Sequence, residues 1–366
     1  MWSEYEPGPP ILYGWGAFDR IDEWLSEGDI FLVMGGRSSD RLGVEEAVRA
    51  NAHGAVSVFR GVEPNPSSDT VEKGAEQLRS SAADCILAVG GGSVMDAAKF
   101  MAVIAHRGGK VIDYLTDKRT PAGFGIPLTA VPTTPGTSSE ITPFSIVTVP
   151  ELNNKVGLRH PSIYPDRAVV DPKLTLSLPP EQTAATGLDI LSHSFESFWA
   201  KRSNRITREL CLTAVRHVKE HLLGAYRDGS KREHREGISL ASIFAGHGFS
   251  NTGTTICHAI SYPITMDTGL DHGKACALSL GPTFDLLWEK GERDIKKLSE
   301  AFGSTPDTLS EDIKELIEQL DAPHGLAQVE RKDWIERIME TEYTGFRKNF
   351  RVDLTEDDVS SIIESM

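Results

Sequence analysis

The segment Cys85 to Lys99 sets a short apolar run, CILAV, directly before three glycines and Ser93, and then a helix-forming stretch through Met101, Val103 and Ile104. A short, wholly apolar run that ends in a glycine turn and a helix is how a buried parallel strand passes into its crossover. Parallel strands require such crossovers, so this segment commits the N-terminal half to an α/β architecture. Three glycines strip the turn of side chains, and Ser93 is expected to cap the helix. Bare amides at a helix N-terminus form a cradle for a pyrophosphate. The same turn also fits a merely tight connection. It departs from the usual G-x-G-x-x-G fingerprint, because Met95 stands where the third glycine would fall.

The flanking pattern agrees. Ile30 to Met34 reads as a strand, followed by a Gly-Gly turn and a helix from about Asp40 to Ala52. Val56 to Phe59 reads as the next strand, then a turn-rich stretch and a helix from about Thr70 to Ala82. Leu128 to Val131 and Phe144 to Val149 add two more strands. The N-terminal domain, residues 1–177, is therefore expected to be a doubly wound, nucleotide-binding α/β domain with its ligand loops at the carboxyl ends of the strands. Beyond Leu178-Pro179-Pro180 the pattern changes to long helical periods, as in Thr207 to Leu223 and Glu233 to Gly246. Residues 178–366 are expected to form an all-α domain.

That second half carries Asp189 and His193 four residues apart, and then His258 and His272 fourteen residues apart. An i, i+4 pair lies on one helix face. A carboxylate and three imidazoles suit iron(II), zinc or another divalent ion and leave room for a substrate oxygen. An Asp-x-x-x-His pair equally fits a polar contact on a helix surface, and the glycine motif upstream is what favours a site.

Composition narrows the partners. The chain has 366 residues, enough for two domains, and its 39% hydrophobic and 25% charged residues are ordinary for a globular protein. A net charge of −15 argues against nucleic acid or an anionic membrane as partner. Cys85, Cys211, Cys257 and Cys276 are widely spaced, so buried reduced thiols are expected. The acidic, proline-bearing N-terminus is unlike a signal peptide, and a cytoplasmic location is expected.

After the second strand, Gly35 and Gly36 are followed by Arg37, Ser38 and Ser39, with no acidic residue before Asp40. An acidic side chain there holds a ribose 2′-hydroxyl, whereas an arginine accommodates a 2′-phosphate. Space at Gly35, the guanidinium fork of Arg37 and the hydroxyl of Ser38 favour NADPH, with NADH open. Arg37 equally fits a solvated residue at a helix start.

Taken together, these segments resemble the iron-containing (group III) alcohol dehydrogenases over most of the chain. Gly90, Gly91, Gly92, Ser93, Asp96 and Lys99 match the family's GGGSxxDxAK signature, and Asp96 is expected to orient amides or sugar hydroxyls of the cofactor, although it equally fits stabilisation of the helix N-terminus. Pro132 to Glu140 match its threonine-rich loop, and Lys155 with Pro165 to Pro172 match its lysine strand and following signature. The resemblance implies cofactor contacts at Thr133, Thr134, Ser138 and Lys155, and metal ligation by Asp189, His193, His258 and His272. It implies metal-dependent, NAD(P)H-linked reduction of a small aldehyde, and a Gly-Gly-x-Ser turn points towards NADP. A homo-oligomer, a dimer, is expected.

Where many members carry a second histidine, assigned to cofactor contact or proton relay, this chain has Tyr262, the candidate for a catalytic proton role; its phenol, with a pKa near ~10, is a poorer neutral-pH shuttle than imidazole, and it equally fits a residue that shapes the pocket. The strings CHAISYPIT and HGKACALSLGP resemble the branch that reduces phosphonoacetaldehyde to 2-hydroxyethylphosphonate. A phosphonate needs cations, and Arg159, His160 and Lys274 are candidates, with Phe144 and Phe195 as apolar wall. Lys274 equally fits a pair with an acidic neighbour. The alternatives are a general reductase for small neutral or other anionic aldehydes, and a carbocycle-forming lyase of the dehydroquinate synthase kind.

Overall fold

A computed structural model describes residues 4–25, 27–36, 42–116, 118–152, 154–322, 332–340 and 346–366. Arg37 and Ser38 lie outside the described residues. The chain divides into two compact units, Pro7–Ser177 and a second built from Leu178 onward together with the N-terminal stretch to Glu6.

The first unit contains eight strands: β1 (Ile11–Tyr13), β2 (Ile30–Met34), β3 (Val56–Phe59), β4 (Cys85–Gly90), β5 (Leu128–Pro132), β6 (Phe144–Val149), β7 (Asn154–Arg159) and β8 (Arg167–Val170). Six form a parallel sheet in the order β1-β8-β5-β4-β2-β3, and β6 pairs antiparallel with β7. Every residue of β2 and β4 is buried. Their period-two alternation feeds two cores. Phe31, Val33, Ile86 and Ala88 face one, and Ile30, Leu32, Met34, Cys85, Leu87 and Val89 face the other. A sheet covered on both faces is the doubly wound arrangement the apolar runs predict. β1 and β8 were not singled out from sequence, being three and four residues long.

Two local expectations are corrected. Of the helix expected from about Asp40 to Ala52, Asp40 and Arg41 lie outside the described residues, and the described helix spans Val44–Asn51, because Gly43 before it adopts a left-handed conformation (φ 62°) that a helix interior excludes. Ser93 does not cap its helix. That helix spans Gly92–Arg107, Gly91 occupies the capping position, and no side chain closes the end. β4 runs on to Gly90, so Gly91 alone turns the corner.

In the second unit, helices Pro180–Trp199, Arg205–Arg227 and Arg232–Thr252 pack around a core that includes Leu188, Phe195, Trp199, Val215 and Ile238. Shorter helices Ile256–Thr268 and His272–Leu278 follow. Pro263 lies inside the first of these. The four cysteines are buried and unbridged. Among the described residues no helix is long and apolar enough to cross a membrane.

Candidate functional site

In the α/β unit, the glycine turn and the threonine-rich loop fit one another without room for added atoms. Thr133 N donates to Gly90 O at 2.9 Å, which fastens the loop to the end of β4. A Cβ at Gly91 would stand 3.1 Å from Thr134 Oγ1, and one at Gly92 only 2.4 Å from Thr137 Oγ1. The open helix end therefore presents backbone amides beside hydroxyls, the chemistry that receives a pyrophosphate. A Cβ at Gly35, after β2, would come within 3.2 Å of Val94 Cγ2. Ser138 is buried in a left-handed conformation (φ 51°). Ser93 Oγ accepts from Asn65 N at 3.1 Å.

A buried polar hub supports this cradle; from sequence Asp96 is expected to orient amides or sugar hydroxyls of the cofactor, and Lys99 has no assigned role. Lys99 is fully buried, and its Nζ donates to Ser139 Oγ (2.8 Å), Thr142 O (2.9 Å) and Phe144 O (2.7 Å). Asp96 Oδ1 accepts from Ser139 Oγ at 2.5 Å, and Oδ2 accepts from Ile146 N at 3.0 Å. The Asp96 carboxylate thus binds the glycine helix to the loop and to β6. Burial pulls the Lys99 ammonium down to about 8. Burial also pushes the Glu140 carboxyl up to about 7, and its Oε2 lacks a hydrogen-bond partner among the described residues. The readable signal was a lysine three residues after an aspartate, directly before the apolar run Phe100 to Ala105 of the same helix.

Lys155 sits opposite Thr148 in the β6–β7 ribbon, and burial lowers its pKa. The Arg159 guanidinium lies 5.5 Å from the centroid of its cross-strand neighbour Phe144. His160 Nδ1 is 2.7 Å from Ser162 Oγ.

In the helical unit, Asp189, His193 and Glu196 occupy one buried face of helix Pro180–Trp199. Gly273 lets the next element close on that face, since a Cβ there would stand 2.0 Å from Ala185 O and 2.9 Å from Asp189 N. Ligand atoms of Asp189, His258, His272 and Cys276 lie within 4.8 Å of one another. Asp189 Oδ1 is 3.9 Å from His258 Nε2 and 3.8 Å from His193 Nε2. The His193 ring stacks on Phe249 (centroids 4.0 Å) and on His258 (4.8 Å). Thus Asp189, His258 and His272 come together with Cys276, and His193 flanks them.

Glu196, absent from the sequence reading, organises this cluster. It is fully buried, and its Oε1 accepts from Thr255 N (2.8 Å), Thr255 Oγ1 (2.6 Å) and Cys257 N (2.9 Å). Its Oε2 pairs with His258 Nδ1. Burial works against this charge, but His258 and Thr255 hold the carboxyl below its ordinary range. A proton on His258 Nδ1 leaves Nε2 as the lone-pair donor. Asp189 Oδ1 and His258 Nε2 are both buried without a hydrogen-bond partner among the described residues. Orphaned acceptors of this kind are costly unless an ion satisfies their lone pairs, so these residues fit a divalent metal.

Tyr262 stacks on His272 with centroids 6.0 Å apart and planes 18° apart. Burial pushes its phenol further up, which suits a hydrogen-bonding wall better than a neutral-pH proton relay. Lys274 is buried, with Nζ 3.5 Å from Asp271 Oδ2 and 3.9 Å from Glu181 Oε1. Phe195 belongs to the core against Trp199.

Residues 8–172 match the family model described as iron-containing alcohol dehydrogenase, and residues 183–366 match that of the family's C-terminal part. The chain is 34% identical over 352 residues to an NADPH-dependent butanol dehydrogenase of Clostridium saccharobutylicum, covering 90% of this chain and 89% of that one. It is 33% identical over 340 residues to a choline dehydrogenase of Bacillus subtilis, covering 90% and 79%. The fold is similar to that of sulfoacetaldehyde reductase from Bifidobacterium kashiwanohense in complex with NAD+, with a TM-score of 0.91, 29% identity, and coverage of 100% of this chain and 98% of that one. These matches set aside the carbocycle-forming alternative.

Proposed function

This chain belongs to the iron-containing alcohol dehydrogenase family, and on that premise we propose that it reduces phosphonoacetaldehyde to 2-hydroxyethylphosphonate with NADPH. The family's activity is NAD(P)-dependent interconversion of small aldehydes and alcohols with a divalent metal. When bound, that ion supplies a Lewis acid that stabilises the negative charge developing on the carbonyl oxygen. Asp189, His193, His258 and His272 are the proposed protein ligands, with Glu196 fixing the tautomer of His258. Gly90, Gly91, Gly92 and Ser93 receive the pyrophosphate, with Thr133, Thr134, Ser138 and Lys155 as further cofactor contacts, and the hub of Asp96 and Lys99 holds their backbone in place. Arg37 and Ser38 read the 2′-phosphate in this account. The enzyme is a cytoplasmic homodimer in the same reading.

One observation carries the choice of substrate. Over its whole length the chain is similar to a reductase of sulfoacetaldehyde, a two-carbon aldehyde with an anionic head group. Phosphonoacetaldehyde has the same backbone and a different anion. Arg159, stacked over Phe144, is the cation offered to it. A second reading, reduction of small neutral aldehydes, draws support from Lys274, whose charge is already matched by Asp271 and Glu181. Catalytic efficiencies of the metal-loaded enzyme for phosphonoacetaldehyde, sulfoacetaldehyde and propanal separate the two. Preference for the phosphonate over both others supports the proposal, and equal or better use of propanal overturns it.

A further inference from the structure

Thr255 stands at the capping position of helix Ile256–Thr268, where a threonine side chain ordinarily accepts from a backbone amide of the first turn, yet its side chain makes no such bond. Its hydroxyl is engaged elsewhere. Trp199 Nε1 donates to Thr255 Oγ1 at 2.9 Å, and Thr255 Oγ1 donates to Glu196 Oε1 at 2.6 Å. An indole nitrogen only donates. With the Trp199 N–H already on the hydroxyl oxygen, the hydroxyl proton is directed to the carboxylate. Glu196 Oε1 also accepts from the amides of Thr255 (2.8 Å) and Cys257 (2.9 Å), so the first turn is capped by a side chain from another helix. These three donors on Oε1 leave Oε2 as the acceptor for His258 Nδ1. The chain of bonds thus runs in one direction, from indole to hydroxyl to carboxylate to imidazole. It ends at the Nε2 lone pair beside Asp189 Oδ1. Trp199, Thr255 and Glu196 are all fully buried, so bulk water does not compete for these bonds.

We propose that Thr255 and Trp199 are positioning residues of the metal site, which set the direction of the Glu196–His258 hydrogen bond and so the ring nitrogen that His258 offers to the ion. This rests on the metal-site reading above, and the ligand set stays Asp189, His193, His258 and His272. Without the hydroxyl, Oε1 loses its closest donor and the Trp199 N–H is left buried without an acceptor. The carboxylate is then free to turn away from His258, and the imidazole is free to take the tautomer protonated on Nε2, which has no lone pair for the ion.

The test is cobalt(II) titration of the full-length protein, alongside its melting temperature without metal. Thr255→Val keeps the side-chain shape, removes the hydroxyl, and is expected to weaken cobalt binding about tenfold. Thr255→Ser returns the hydroxyl and is expected to bind as the wild type does. Trp199→Phe keeps an aromatic ring against Phe195 and Phe350 and removes the N–H. It is expected to weaken binding several-fold in the wild-type background and to add nothing in Thr255→Val, because its effect passes through the hydroxyl. Unchanged affinity in Thr255→Val, Thr255→Ser as weak as Thr255→Val, or equal losses from Trp199→Phe in both backgrounds each overturn the proposal and leave the metal site standing. Should Thr255→Val not fold, Trp199→Phe alone decides. Several-fold weaker binding at an unchanged melting temperature supports the proposal, and unchanged affinity overturns it. No cobalt bound by the wild type overturns both readings.

Discussion

The carboxylate of Glu196 holds Nδ1 of His258, and so turns the unpartnered Nε2 of that ring towards Asp189 Oδ1. The consequence can be read from a single substitution. In Glu196→Gln the amide oxygen remains with the three donors of Thr255 and Cys257, and the amide nitrogen is left facing His258. That nitrogen donates, so it favours the tautomer protonated on Nε2, which cannot bind a metal. Metal affinity is expected to fall about ten- to hundredfold with little change in melting temperature. Titration of zinc or cobalt alongside thermal unfolding checks this, and unchanged affinity would remove Glu196 from the account.

Gly92→Ala is expected to raise the Michaelis constant for the cofactor, because the new Cβ would meet Thr137 Oγ1 at 2.4 Å and push the loop off the helix end. Adding Thr137→Ala should restore part of the loss, a coupling that independent sites would not show. Initial rates of both variants against cofactor concentration measure it.

The legible and illegible parts of the molecule divide along a physical line. β2 and β4 were readable because burial on both faces requires unbroken apolar runs. Asp189, His258 and His272 were readable because linked motifs mark them. Glu196 acts on residues some sixty positions away, and nothing periodic announces that contact. A glutamate three residues after His193 and seven after Asp189, hence on the same helix face as both, was the available clue. Ser93 misled because serine is a favoured cap, whereas a glycine free of side-chain constraint let the helix begin two residues earlier.

The Lys99 hub predicts a stability cost. Lys99→Met leaves Asp96 and Glu140 without their buried cation and three acceptors without a donor. Loss of one partner from such a network costs about 3–5 kcal/mol. Urea unfolding of the isolated protein gives the value, and a loss below about 1 kcal/mol would contradict a supporting role.

Glu140 adds a pH dependence. Its carboxyl is raised from the ordinary 4.5 to about 7 in the folded chain. Between these values the unfolded state is ionised while the folded state keeps its proton, so stability from this group falls as pH rises and stays lost above about 7. Glu140→Gln removes that loss. The variant is therefore expected to gain relative to the wild type at about pH 8 compared with about pH 5, as read from urea midpoints at both.

Arg37→Ala tests the cofactor proposal. Its Michaelis constant for NADPH should rise by the equivalent of ~1.5–3 kcal/mol, with little change for NADH. Equal effects on both cofactors would show that Arg37 does not read the 2′-phosphate.

The central claim is that the cluster around Asp189 holds the metal on which aldehyde reduction depends. Metal content and NADPH-linked turnover, measured on the same samples of wild type and His258→Ala, test it most directly. The account predicts a folded variant that has lost most of its metal and most of its activity together. Full metal content with normal turnover in His258→Ala would contradict it.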